Sequence, residues 1–147
     1  MTVKKAPLTE VVSHLLEECR MVLPGIQALF GFQLVSVFNR RFDEVPFPNQ
    51  VAHVVATGLV ALSAGLIMTP AEYHRAVAPE GVTERLVWLS TRLLLASMFL
   101  LAVGVSVDFF VISSLVLGNP ALSTLLACGL FAALAAMWFV LPNWRGS

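Results

Sequence analysis

Asp108 stands between Val107 and Phe109, deep inside a long apolar stretch. An ionisable side chain at such a place is costly unless it pairs or serves transport. The spans on either side put it in the outer half of the membrane. There the first loop offers Arg40 and Arg41, and the start of the second span offers His53. A carboxylate keeps its charge at that depth only beside a cation; otherwise it takes up a proton. Asp108 with His53 or an arginine is therefore a candidate proton or cation site. The structural alternative is a salt bridge that ties the first loop to the third span. A second set lies toward the inner side: Glu18, Arg20 and Arg92, with Tyr73, His74 and Arg75 in a polar loop. Arg92 is sixteen positions from Asp108, about 24 Å along a helix, so the two cannot pair. Glu84, Trp88 and Arg92 share one helical face, with Trp88 as an interface anchor and Arg92 reaching toward headgroups. Glu17 or Glu18 pairing with Arg92, Arg20 or Arg75 is the alternative. Gln27 and Gln33 are amides in the first span, suited to bonds between helices or to lining a water path.

These residues need spans to hold them. The 147-residue chain is 58% hydrophobic and 12% charged, with a mean hydropathy of +0.84. Soluble domains carry roughly 25% charged residues, and a chain this short cannot bury so much apolar surface within itself. Lipid must cover the excess. Four runs, 21–38, 51–69, 93–117 and 121–141, approach or exceed the roughly 18–20 residues of a membrane-crossing helix. Only helix satisfies the backbone in hydrocarbon for chains of this pattern. The expected architecture is all-α: one membrane domain, a four-helix transmembrane bundle with an amphipathic N-terminal helix. That helix, 8–20, would lie on the membrane surface and turn into the first span at Pro24-Gly25. Pro48-Asn49 reads as a turn capped by Asn49, Pro70 as the end of the second run, and Pro79-Gly81 as a break in the loop. Gly118-Asn119-Pro120 is so short a link that the third and fourth spans must be antiparallel neighbours.

Seven of the nine basic residues (Lys4, Lys5, Arg20, Arg75, Arg85, Arg92 and Arg145) fall on one side of these spans. Arg40 and Arg41 fall on the other, which puts both termini in the cytoplasm. Small residues at four-residue spacing, Ala52, Ala56, Ala61 and Gly65 in the second span and Cys128, Ala132 and Ala136 in the fourth, permit close packing within or between subunits. Mild hydroxyls such as Thr57, Ser63, Ser97, Ser106, Ser123 and Thr124 commonly bond back to their own helix.

Other chemistries find no support. Nine basic residues balance nine acidic ones, with no basic block for nucleic acid. Met1–Glu18 lacks the apolar core of a signal peptide. Cys19 and Cys128 lie at different expected depths and read as free thiols, without metal-ligand spacing. No catalytic residue, metal site or cofactor is expected, since HExxH, GxSxG, a phosphate-binding glycine loop and a paired histidine set are all missing. An enzyme is not expected.

Several strings together resemble a family of small bacterial membrane proteins of unknown function. They are Glu18-Cys19-Arg20, Leu23-Pro24-Gly25-Ile26-Gln27, Leu29-Phe30-Gly31-Phe32, Arg41-Phe42, Pro70-Ala71, Tyr73-His74-Arg75, Asp108, Trp138-Phe139 and Leu141-Pro142. The resemblance spans nearly the whole chain. It implies four spans in the bacterial inner membrane and points to Arg20, Gln27, His74, Arg75 and Asp108; some members are automatically labelled sodium:proton antiporters. The chain departs from the pattern at Cys19 and Gln33, where leucine is usual. Two functions follow as expectations: an ion or proton transporter or channel working as a homo-oligomer, a dimer or higher, or an accessory or structural subunit or assembly factor of a membrane complex, with no transport of its own.

Overall fold

In the computed structural model, residues 8–77 and 84–141 are described. Lys4, Lys5, Pro79, Gly81, Pro142 and Arg145 lie outside them, as does the side chain of His74. Four helices follow one another: α1 (Leu8–Val37), α2 (Phe47–Val77), α3 (Glu84–Leu117) and α4 (Pro120–Ala135), the last continued by a π-helical turn, Ala136–Val140. All four, counting that turn with α4, are long and apolar enough to cross a membrane, which fits a multi-pass membrane protein. The expected all-α four-helix architecture is what the chain adopts.

The helices run further than the apolar runs. The amphipathic stretch 8–20 and the first span are one continuous helix, with Pro24 inside it. Proline there costs the bond to the Arg20 carbonyl, four residues back. Pro70 likewise does not end the second helix, which continues to Val77. In hydrocarbon an unwound segment would strand many backbone groups, whereas passing through proline loses only one bond. Asn49 is not the cap expected of it. α2 opens two residues earlier, with Pro48 in its first turn, where a missing N–H does no harm.

The links are tight. Asn39 accepts from the Arg41 N–H at 3.1 Å and starts a 3₁₀ turn, Arg40–Glu44. Gly118 has φ +60°, a left-handed conformation that glycine takes without strain. Asn119 then caps α4, accepting from the N–H groups of Ala121 and Leu122 at 3.1 and 3.2 Å. This short link makes α3 and α4 packed neighbours.

α3 is the hub, touching α1, α2 and α4. Gly104 lets it approach α2: a Cβ there would stand 3.0 Å from Val60 Cγ2 and 3.1 Å from the Ala56 carbonyl oxygen. A knot of Cys19, Ile26, Val60 and Ile67 joins α1 to α2. The hydroxyls divide as physics suggests: Thr57, Ser97, Ser106, Ser123 and Thr124 bond back to their own helix or its cap. Ser63 instead crosses to the Ser97 carbonyl at 2.9 Å. Ala56 is buried, but Ala61 and Gly65 are exposed, as are Cys128, Gly129, Ala132, Ala133 and Ala136 along α4. Those close-packing faces are not used within the single chain.

Candidate functional site

Three helices converge on Asp108. It projects from α3 with its side chain 13% exposed, opposite His53 on α2 at 9%. His53 Nδ1 lies 2.9 Å from Asp108 Oδ1. Gln33, on α1, donates from Nε2 to Asp108 Oδ2. One helical turn beyond Gln33, the Ser36 hydroxyl donates to the Gln33 carbonyl at 2.7 Å. His53 Nε2 completes the ring, 3.0 Å from the Gln33 carbonyl oxygen and 2.9 Å from Ser36 Oγ. Phe42, from the 3₁₀ turn, covers the imidazole edge-on with ring centres 5.5 Å apart.

The acceptors around His53 dictate where protons sit. Ser36 has one hydroxyl hydrogen and gives it to Gln33, so its oxygen is left to accept. Nε2 therefore faces two acceptors and must carry a hydrogen. Nδ1 faces a carboxylate oxygen, and that contact is favourable only with a proton between them. The fully satisfied cluster is thus neutral as a whole, either imidazolium with carboxylate or imidazole with carboxylic acid. Removing that proton leaves the cluster with a net negative charge among apolar spans. The arrangement can hold one exchangeable proton.

Gln33 adds a further feature. Its Oε1 is buried and has no partner, although buried polar groups are nearly always bonded. Gln33, Ser36, His53 and Asp108 form the polar floor of a cleft of about 390 Å³ whose walls are apolar, among them Phe32, Phe109, Ile112 and Leu130. Phe32 is 76% and Ile112 59% exposed, so the cleft opens onto the surface of the bundle.

The remaining candidates do not join this cluster. Gln27 is exposed on α1 and Arg40 and Arg41 are exposed in the 3₁₀ turn, so His53 and Gln33, not an arginine, partner Asp108. The physical reason is reach: α2 begins early enough to carry His53 to the depth of Asp108, while the turn keeps both guanidiniums outside. Among the described residues, Glu18, Arg20 and Arg92 make no ion pair with one another. Arg75 pairs with Glu72 at 3.5 Å and Glu17 with His14 at 3.9 Å. Arg92 packs over the Trp88 ring, 5.4 Å from its centre, as the shared helical face suggests. Arg20, Glu72 and Arg75 line a separate cleft of about 560 Å³ with Leu16, Cys19 and Ile67. Tyr73 is half-buried beside them in sequence. Both cysteines are free, and among the described residues no cluster is suited to a metal.

Sequence reasoning missed Ser36. Its spacing of three from Gln33 was the available signal, since that places both on one helical face. It also missed the bond from Asn49 Nδ2 to Ser114 Oγ at 2.8 Å, which joins α2 to α3 one turn outside the cluster.

Residues 6–142 match the model of a family of unknown function (DUF6328). The chain belongs to that family. No curated protein and no solved structure matches it. Membership accounts for the likeness over nearly the whole chain and leaves open what the Asp108 cluster does.

Proposed function

We propose that the protein is a small proton or ion transporter or channel, with the His53–Asp108 pair as its proton-carrying site. The observation behind this reading is a buried imidazole–carboxylate contact whose surroundings are satisfied by one shared proton. It stands within apolar spans beside a cleft that would admit water or a substrate. Four helices leave little room for a path within one subunit, so transport would proceed in a homo-oligomer embedded in the inner membrane with both termini cytoplasmic. No catalytic turnover is attributed to it. Reconstituted liposomes carrying a pH-sensitive dye provide the test. Proton movement above empty vesicles, lost in Asp108→Asn, is the expected result; flux no greater than the control, for protons, sodium, potassium and chloride alike, would reject transport.

One observation favours a second reading, an accessory or structural subunit of a membrane complex. The same bonds lock α1, α2 and α3 together, which is what a purely structural cluster would do. On that reading Asp108→Asn lowers the melting temperature and leaves every ion flux unchanged.

A further inference from the structure

We infer that the cleft over Asp108 binds a lipophilic ammonium compound, whose positive charge takes the place of the proton on His53. This inference rests on the proton-carrying reading of the same cluster and names the substrate class it would serve. The cleft is divided in chemistry: apolar walls with Phe32, Phe42 and Phe109, and a floor of Gln33, Ser36, His53 and Asp108. Its unmet need is for a hydrogen-bond donor, because Gln33 Oε1 is buried without one. A neutral donor would answer that need alone. The carboxylate beside it favours a cation, and aromatic faces add to the attraction. About 390 Å³ accommodates a molecule of drug-like size. Because Phe32, Ile112 and Leu115 are exposed on its rim, such a molecule can arrive through lipid rather than through water.

The charges confine the site to one cation at a time. His53 and Asp108 are the titratable groups that line the cleft. α1 contributes Gln33 and Ser36 there, α4 contributes Leu130, and the charged Arg40, Arg41, Asp43 and Glu44 of the 3₁₀ turn are exposed. An ammonium approaching Asp108 while His53 is imidazolium would put two positive charges beside one negative in a low dielectric. The balanced step is exchange. The proton shared by Nδ1 and Oδ1 leaves to water, and the electron pair of the broken bond stays on the atom that held it. The ammonium N–H groups then face the carboxylate, Gln33 Oε1 and the freed Nδ1. The site remains neutral before and after.

Calorimetry on the full chain in nanodiscs of zwitterionic lipid tests this, with phenylbutylammonium as probe and phenylbutanol as its neutral counterpart. Runs in two buffers of different ionisation enthalpy count the protons. Expected are saturable ammonium binding, little binding of the alcohol, and release of one proton per cation. Gln33→Leu, which removes the orphaned acceptor and keeps Asp108, should weaken binding about tenfold, and Asp108→Asn should abolish it. Binding no stronger than to empty nanodiscs, equal binding of the alcohol, or binding without proton release would each overturn the inference. The two readings fail separately. Saturable binding with proton release in a protein that passes no protons in liposomes upholds the site and rejects transport. Proton flux without saturable binding rejects the ammonium site and leaves transport standing.

Discussion

His53 Nδ1 and Asp108 Oδ1 lie 2.9 Å apart although 55 positions separate the residues in the chain. The contact joins α2 to α3 at the level where Gln33 and Ser36 of α1 also arrive. One pair of atoms thus couples the packing of three helices to the location of a single proton, and substitutions there should separate the two roles.

Removing His53 should be worse than removing the pair. His53→Ala leaves the Asp108 carboxyl buried with only Gln33, and breaking one side of a buried pair costs about 3–5 kcal/mol. His53→Ala combined with Asp108→Ala should recover part of that loss. Denaturation of the two single variants and the double variant in mild detergent measures the coupling. Strict additivity would show that the contact contributes nothing to holding the helices.

Gln33→Leu is expected to be nearly neutral for stability. It deletes a donor to a charged group, a loss of about 1.5–3 kcal/mol, but also deletes the unpartnered Oε1, whose burial costs about 1–3 kcal/mol. The opposing effects are similar in size. A melting temperature that falls as far as that of His53→Ala would show that Oε1 does find a partner in the folded protein.

Gly104→Leu should destabilise by about 1–3 kcal/mol, the usual range for overpacking. Even the first carbon would press on the Ala56 carbonyl, part of the α2 backbone, which cannot move aside as a side-chain tip can. Because the clash sits a turn inward from Asp108, separation of α2 from α3 should also disturb the His53 contact. A melting temperature equal to that of the unsubstituted protein would rule out the close approach.

Asn119→Ala removes the side chain that accepts from Ala121 and Leu122. Loss of such a cap costs about 0.5–2 kcal/mol. Its effect should fall on the α3–α4 corner alone, so hydrogen exchange in the first turn of α4 should quicken while the Ser63–Ser97 region keeps its protection. Uniform quickening over all four helices would contradict this.

By itself the amino-acid sequence settled the helical class, the helix count and which apolar runs carry the rare polar groups. Each of these is a local property. A run of apolar residues long enough to cross hydrocarbon has one way to satisfy its backbone, and Asp108 lies in such a run whatever surrounds it. Helix ends were less legible, because a proline can sit inside a long helix at the loss of one bond, as Pro24 and Pro70 do. What only the tertiary structure decided was the company Asp108 keeps. Arg40, Arg41 and His53 were all candidates on depth. Choosing among them depends on which helical faces meet, and that depends on Gly104 admitting α2 and on the rotation of α1 that turns Gln33 inward and Gln27 outward. Rotation about a helix axis barely changes the transfer of a nearly uniform apolar surface into lipid, so hydrophobicity leaves it open; contacts across the helices determine it.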